Sequence, residues 1–353
     1  AILSAINVAT TRRSGGSVVF FPSPPLRYRI AQPLVLPPTD HWVQLLLDGT
    51  LELQGGPIEL QSLYQITGIT SGGPFAFSKL AHASIIVQTP QVAPAFLIRK
   101  KFSVRIEKVS VRYMRGDANG IEIHDSNDIT LNGVHVLMDG ANTTGVPLVI
   151  RGAFNCLIEE CGFGPSALGD APSILLGTSR ETPHSSGSIS IRRSFIANNG
   201  VKIALDFGAN PSCLLSIEQN LFEGYKTALL TIDAHGASVC GIYLFQNLMA
   251  DPKVISPFPP IISNRGGYVR DVVAIHNNHH GPFVSGPGEP IQSLEVWPLF
   301  DSKHGEIGQD TNYIVHWSDR LDIGMPVKFL STTSFGQQGS AMGAPPSPGD
   351  KNY

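Results

Sequence analysis

Apolar residues in this chain come in short alternating runs, and the runs themselves recur. CLLSIEQNLFEGY at 213–225 is followed by CGIYLFQNLMADP at 240–252, with Cys and Gln-Asn-Leu at matching offsets 27 residues apart. With Ile217 as an anchor, the same alternation, with a further apolar residue five positions on, appears at Ile106, Leu131, Ile158, Ile191 and Leu244. A weaker version stands at Ile275. The gaps between anchors are 25, 27, 33, 26, 27 and 31 residues.

A second strand-like run precedes each anchor, at 95–100, 120–125, 147–152, 173–178, 203–208, 229–234 and 260–265. Each unit therefore reads as strand, turn, strand, turn, with uneven insertions such as TSRETPHSSG placed in the turns. Units of this length that repeat along a chain stack into a solenoid, each burying its apolar face against the next. Helical repeats need apolar spacings of three to four, and propeller blades are longer. The pattern predicts an all-β protein, a single-stranded parallel β-helix in which each unit is one coil.

In such a stack, residues at one offset lie above one another. Asn220, Asn247 and Asn278, three after their anchors, fall at a turn where an amide bonds the neighbouring coil. Cys213 and Cys240, four before theirs, come within disulfide reach and form either a disulfide or a stacked pair of buried thiols.

The start of the chain, AILSAINVATTRRSGGSVVFFPSPPLRYRIAQPLVLPP, resembles the entrance of the pectate-lyase-like right-handed β-helix superfamily. Ala5-Ile6-Asn7, Gly15-Gly16, Val18 to Pro22, Tyr28-Arg29-Ile30, Pro33-Leu34 and Leu36-Pro37 carry the likeness. The resemblance implies a right-handed coil and a capping helix over 1–13 that shields the open end of the core. The β-helix is expected to span 1–300. Residues 301–353 leave the coil pattern and end in a Gly/Pro/Ser-rich tail.

Composition narrows the function. Charged residues are 15% of 353, the net charge is −3 and no long Lys/Arg run exists, which argues against nucleic acid. No apolar run is long enough to span a bilayer. The chain opens on Ala, as expected of one trimmed at its start, and a secreted or cell-surface location is expected. The cysteines lack zinc spacing, and His276-Asn277-Asn278-His279-His280 alternates faces so that at most two imidazoles converge. Neither a metal nor a cofactor is expected.

The superfamily holds lyases, hydrolases, epimerases, depolymerases and non-catalytic surface proteins, so the partner that the resemblance implies is a polysaccharide. The polygalacturonase and pectate lyase motifs are missing, as is an Asp-rich calcium cluster. Two outward clusters remain. Asp206 and Asp233, both eleven before an anchor with Asn264 at the same offset, form the candidate catalytic pair. His235 and Arg265 lie near them to bind a uronate carboxylate. Arg99, His124 and Arg151, all seven before an anchor, form a second stack with Glu122 beside it, the set that β-elimination from a uronate requires. Two functions follow: an extracellular enzyme cleaving a polysaccharide by hydrolysis or β-elimination, or a non-catalytic surface or filament-forming rod whose C-terminal tail reaches a neighbouring subunit in a homo-oligomer.

Overall fold

A computed structural model of the chain describes residues 2–11, 16–22, 27–69, 85–87, 93–113, 118–138, 145–164, 171–178, 184–197, 199–206, 212–224, 227–250, 259–277, 284–287, 291–298, 314–317 and 328–330. It is a parallel β-helix with one N-terminal helix, Ile2–Thr11. The helix buries Ile6 and Ala9 against the first coil. The His41 ring holds the helix's C-terminal end, its Nε2 lying 3.1 Å from the carbonyl of Ala9.

Each coil contributes three strands, one more than the sequence pattern suggests. They stack into sheets of 13, 9 and 10 strands, called here the first, second and third. The extra strand comes from a kink two residues after each anchor. Lys108, Gly133, Glu160, Arg193, Gln219, Gln246 and His276 all adopt left-handed backbone there, with φ between 49° and 61°. The kink breaks the anchor run in two, so Ile217 lies on the first sheet (Ser212–Glu218) and Phe222 on the second (Leu221–Glu223).

Register bears out the anchors from Ile106 to Leu244, each facing the next in turn. The last is displaced by one. Leu244 pairs with Ala274, and Ile275 pairs with Phe245 on the outer face. The stacked turn residue is therefore Asn277, not Asn278, which lies outside the described residues along with His279 and His280. The coils also begin earlier than the anchors, because Ser17–Phe21 already pairs in parallel with Val43–Leu47. Beyond residue 300 the described strands Ile314–Trp317 and Lys328–Leu330 extend the first sheet antiparallel, and the tail 331–353 lies outside the described residues. Among the described residues no helix is long and apolar enough to cross a membrane.

Inside, the anchors form a column of fully buried aliphatic side chains, each worth about 1.5–3 kcal/mol. Beside it runs a polar ladder. The backbone N–H of Cys161 donates to Ser194 Oγ, that of Ser194 to Asn220 Oδ1, that of Asn220 to Asn247 Oδ1, and that of Asn247 to Asn277 Oδ1, at 2.9–3.1 Å. Each asparagine then donates Nδ2 back to an anchor-position carbonyl, of Ile191, Ile217 and Leu244 respectively. The left-handed kink turns the N–H of the following residue away from the strand ladders, and these side chains meet it.

Replacing Asn247 by Leu leaves the Asn220 N–H buried without its side-chain acceptor and removes one of the donors to the Ile217 carbonyl. At about 1–3 kcal/mol for an orphaned buried group, a loss of about that size is expected from denaturant unfolding. Gln219→Asn on the exposed face of the same turn removes only the solvent-facing bond to Gln246 and is expected to stay within about 0.5 kcal/mol.

Candidate functional site

The third sheet passes to the first through a corner with two residues between the sheet-edge positions of each coil. In three consecutive coils the corner reads Arg99-Lys100-Lys101-Phe102, His124-Asp125-Ser126-Asn127 and Arg151-Gly152-Ala153-Phe154. Register places Arg99, His124 and Arg151 in one row and Phe102, Asn127 and Phe154 in another. The stack of Arg99, His124 and Arg151 expected from their offsets is thus formed.

Between these rows Lys100, Asp125 and Gly152 all take left-handed backbone, with φ of 54°, 45° and 63°. The Lys100 and Asp125 N–H groups donate to the carbonyls of His124 and Arg151 in the next coil at 2.9 Å, so the conformation is fixed by the stack. Ser126 pins the corner further, accepting from the Lys101 N–H and donating to the His124 carbonyl. Gly152 brings the same turn without a side chain. An open groove of about 520 Å³ lies there, lined by Lys100, Asp125, Ser126, Asn127, Gly152, Phe154 and His184.

The charges around the groove are partly paired. Glu122 Oε2 lies 2.8 Å from His124 Nε2, and Glu122 Oε1 accepts from Asn119 Nδ2 at 2.7 Å. Burial pushes the Glu122 carboxyl up, but the contacts with His124 and Asn119 and the nearby positive charge of Arg151 together outweigh it. The carboxyl ends below its ordinary value. Asp125 Oδ1 and Arg151 Nε are buried and hydrogen-bond to nothing among the described residues. A buried carboxylate oxygen and guanidinium nitrogen in that condition call for a bridging water or a shift of a neighbouring group.

The other cluster does not assemble as its offsets suggest. The strand lies at Val201–Ala204, two residues earlier than expected, and Asp233 stacks on Ala204 instead of Asp206. The cause is the turn that follows. Thirteen residues separate Ala204 from its anchor Ile217, whereas eleven separate Asp233 from Leu244. Asp206 sits beyond the strand end, exposed. Asp233 is engaged by Lys202 at 3.1 Å, with His235 Nε2 at 3.5 Å. Asn264 stacks on the inward Ile232 and is 2% exposed, its amide closing the turn through Gly266 and Gly267. Arg265 and His235 are exposed at that turn. The outward Thr231 and Ser263 beside Asp233 are buried, so this part of the third sheet is not an open floor.

Cys213 and Cys240 are register partners, and Cys240 is disulfide-bonded. Cys156 and Cys161 are free and buried, and burial pushes both thiols up to about 12, which leaves them inert at neutral pH. Among the described residues no cluster of His, Cys, Asp or Glu is placed to hold a metal.

The groove-forming Lys100, Asn127, Phe154 and His184 are not apparent from the charge pattern. Their signal was the exposed Phe recurring at one offset in alternate coils, beside a turn that changes from Lys to Asp to Gly.

Fold and groove together define a parallel β-helix with a polar corner groove that Lys100 and Asp125 both line. Neither a family model nor a curated protein matches the chain. Two solved structures of PfbA, a surface adhesin of Streptococcus pneumoniae, are similar to it. One has 12% identity over 82% of this chain and 91% of the other, with a TM-score of 0.43. The second has 13% identity over 85% of each chain, with a TM-score of 0.39. No residue role is carried across at this distance.

Glu122 has a depressed folded pKa, so the stability it lends is complete above its unfolded value, near 4.3, and is lost as pH falls through the folded value. Acidification from about pH 5 to about pH 3 is expected to destabilise the wild type more steeply than Glu122→Gln, measured as unfolding midpoints across that range.

Proposed function

We propose that this chain is an extracellular carbohydrate-active protein that holds an acidic polysaccharide at the corner groove and cleaves it by β-elimination. One observation carries the reading: the stacked Arg99, His124 and Arg151 run beside a groove that Asp125 lines, and one oxygen of the Asp125 carboxylate is buried with no hydrogen-bond partner among the described residues. Arginine pairs with a uronate carboxylate and withdraws charge from it, which acidifies the adjacent C5 proton. Asp125 accepts that proton, the C4–O bond breaks as the C4–C5 double bond forms, and the leaving oxygen is protonated from His184.

The disulfide at Cys240 supports an extracellular setting, where oxidised pairs persist, and we assign Cys213 as its partner. Hydrolysis by Asp206 and Asp233 is not supported by their register.

A second reading is a non-catalytic surface protein that uses the same groove to bind. It is favoured by Asp206 and Asp233 lying on different rungs and by the pairing of His124 with Glu122. Incubation of the full chain with polymannuronate, polygalacturonate and hyaluronate separates the two. Release of ultraviolet-absorbing unsaturated uronates is expected, and Asp125→Asn should slow it on the order of 10²–10⁴-fold. Binding without product, weakened by Arg151→Ala, would assign the non-catalytic reading. Neither product nor binding with any of the three would overturn both.

A further inference from the structure

The corner carries a feature that the chemistry above does not use. Phe102 is 56% exposed and Phe154 is 47% exposed, although the coil has a large apolar interior available to such side chains. They occupy the same offset in coils two rungs apart, with exposed Asn127 between them in register with both. Rungs repeat at about 4.8 Å, so the two rings stand about 10 Å apart along the solenoid axis.

Both are held firmly at the backbone. The Phe154 N–H donates to the Ser126 carbonyl at 2.9 Å and the Phe102 N–H to Ser62 Oγ at 3.1 Å. Asn155 Nδ2 donates to Asn127 Oδ1, which leaves the Asn127 amide donors for a ligand. The Lys100–Asp125–Gly152 row and the row of Arg99, His124 and Arg151 run parallel to this one on the side of the third sheet.

We infer that Phe102 and Phe154 are stacking platforms for alternate sugars of an extended, β-1,4-linked acidic glycan that lies along the solenoid axis, with the intervening sugar hydrogen-bonded by Asn127. In a two-fold extended chain, every second sugar turns the same face to the same side. Two aromatic rings two rungs apart, with a polar residue between them, match that alternation. The apolar faces of the sugars cover the rings, and their carboxylates meet Arg99, Arg151 and Lys100. A chain with a three-fold twist would seat only one of the two rings. The inference rests on the proposed acidic polysaccharide and adds the direction in which it runs, its linkage geometry and the residues that read it.

Titration of the full chain with oligomannuronates from the disaccharide upward, followed by calorimetry, tests this. The catalytic step is blocked by Asp125→Asn throughout, and polygalacturonate oligomers serve as a differently twisted comparison. Affinity for oligomannuronates is expected to rise sharply once the oligomer spans both rings. Phe102→Ala and Phe154→Ala should each weaken the longer oligomers on the order of 10-fold, the size of one lost aromatic contact, and leave the disaccharide less affected. Phe154→Trp should restore or improve binding. Because both rings are exposed, circular dichroism and melting of the alanine variants are expected to match the parent. If Arg151→Ala weakens oligomannuronate binding but both alanine variants bind every length like the parent, the platforms are refuted while the acidic-polysaccharide reading stands. Equal affinity for the two oligomer families also refutes the platforms. Failure of the parent to bind either family refutes the platforms and the reading together.

Discussion

A single coil of this solenoid cannot satisfy its own backbone. Within each sheet, strand N–H and carbonyl groups are met by the coils above and below, so each rung depends on its neighbour being in register. Sheets alone achieve this along their strands, but the chain must also turn three times per coil. At the turn from the first sheet to the second, the left-handed residue keeps its own amide bonded to the next coil but turns the amide of the residue after it toward a dry interior. The ladder of Cys161, Ser194, Asn220, Asn247 and Asn277 meets those amides and locks each turn to the next.

Fixed turns are what make a surface site possible on such a fold. The corner between the third and first sheets inherits its spacing from the same stacking. Three successive coils therefore present Arg, His and Arg in one line and Phe, Asn and Phe in another, a rung apart. No loop has to fold over to assemble these groups. The cost is that a corner residue can change chemistry but not position, and the sequence uses this freedom. In one left-handed position it places Lys100, then Asp125, then Gly152, a cation, a carboxylate and a gap.

Much of this was legible in the sequence because a solenoid translates linear period into spatial neighbourhood. The anchors, the seven-residue offset of Arg99, His124 and Arg151, and the paired cysteines at 213 and 240 all stand where counting from the anchors puts them. Counting failed wherever a turn changed length. Asp206 and Asp233 share an offset from their anchors but not a rung, because two extra residues occupy the turn after Ala204. Ile275 looked like the anchor because it is the larger apolar residue, yet Ala274 faces the core and Ile275 the outer face. The second sheet was hidden because alternation continues through the kink, and only a positive φ, which no side-chain pattern records for Lys108 or Arg193, divides the run.

The central claim is that the buried turn ladder, rather than the strands alone, holds the coils in register. Amide hydrogen exchange resolved by residue tests it directly. The turn amides of Ser194, Asn220 and Asn247 are expected to exchange only through global unfolding, as slowly as the anchor-strand amides on either side. Exchange of those turn amides through local opening, while the strands stay protected, would contradict the account.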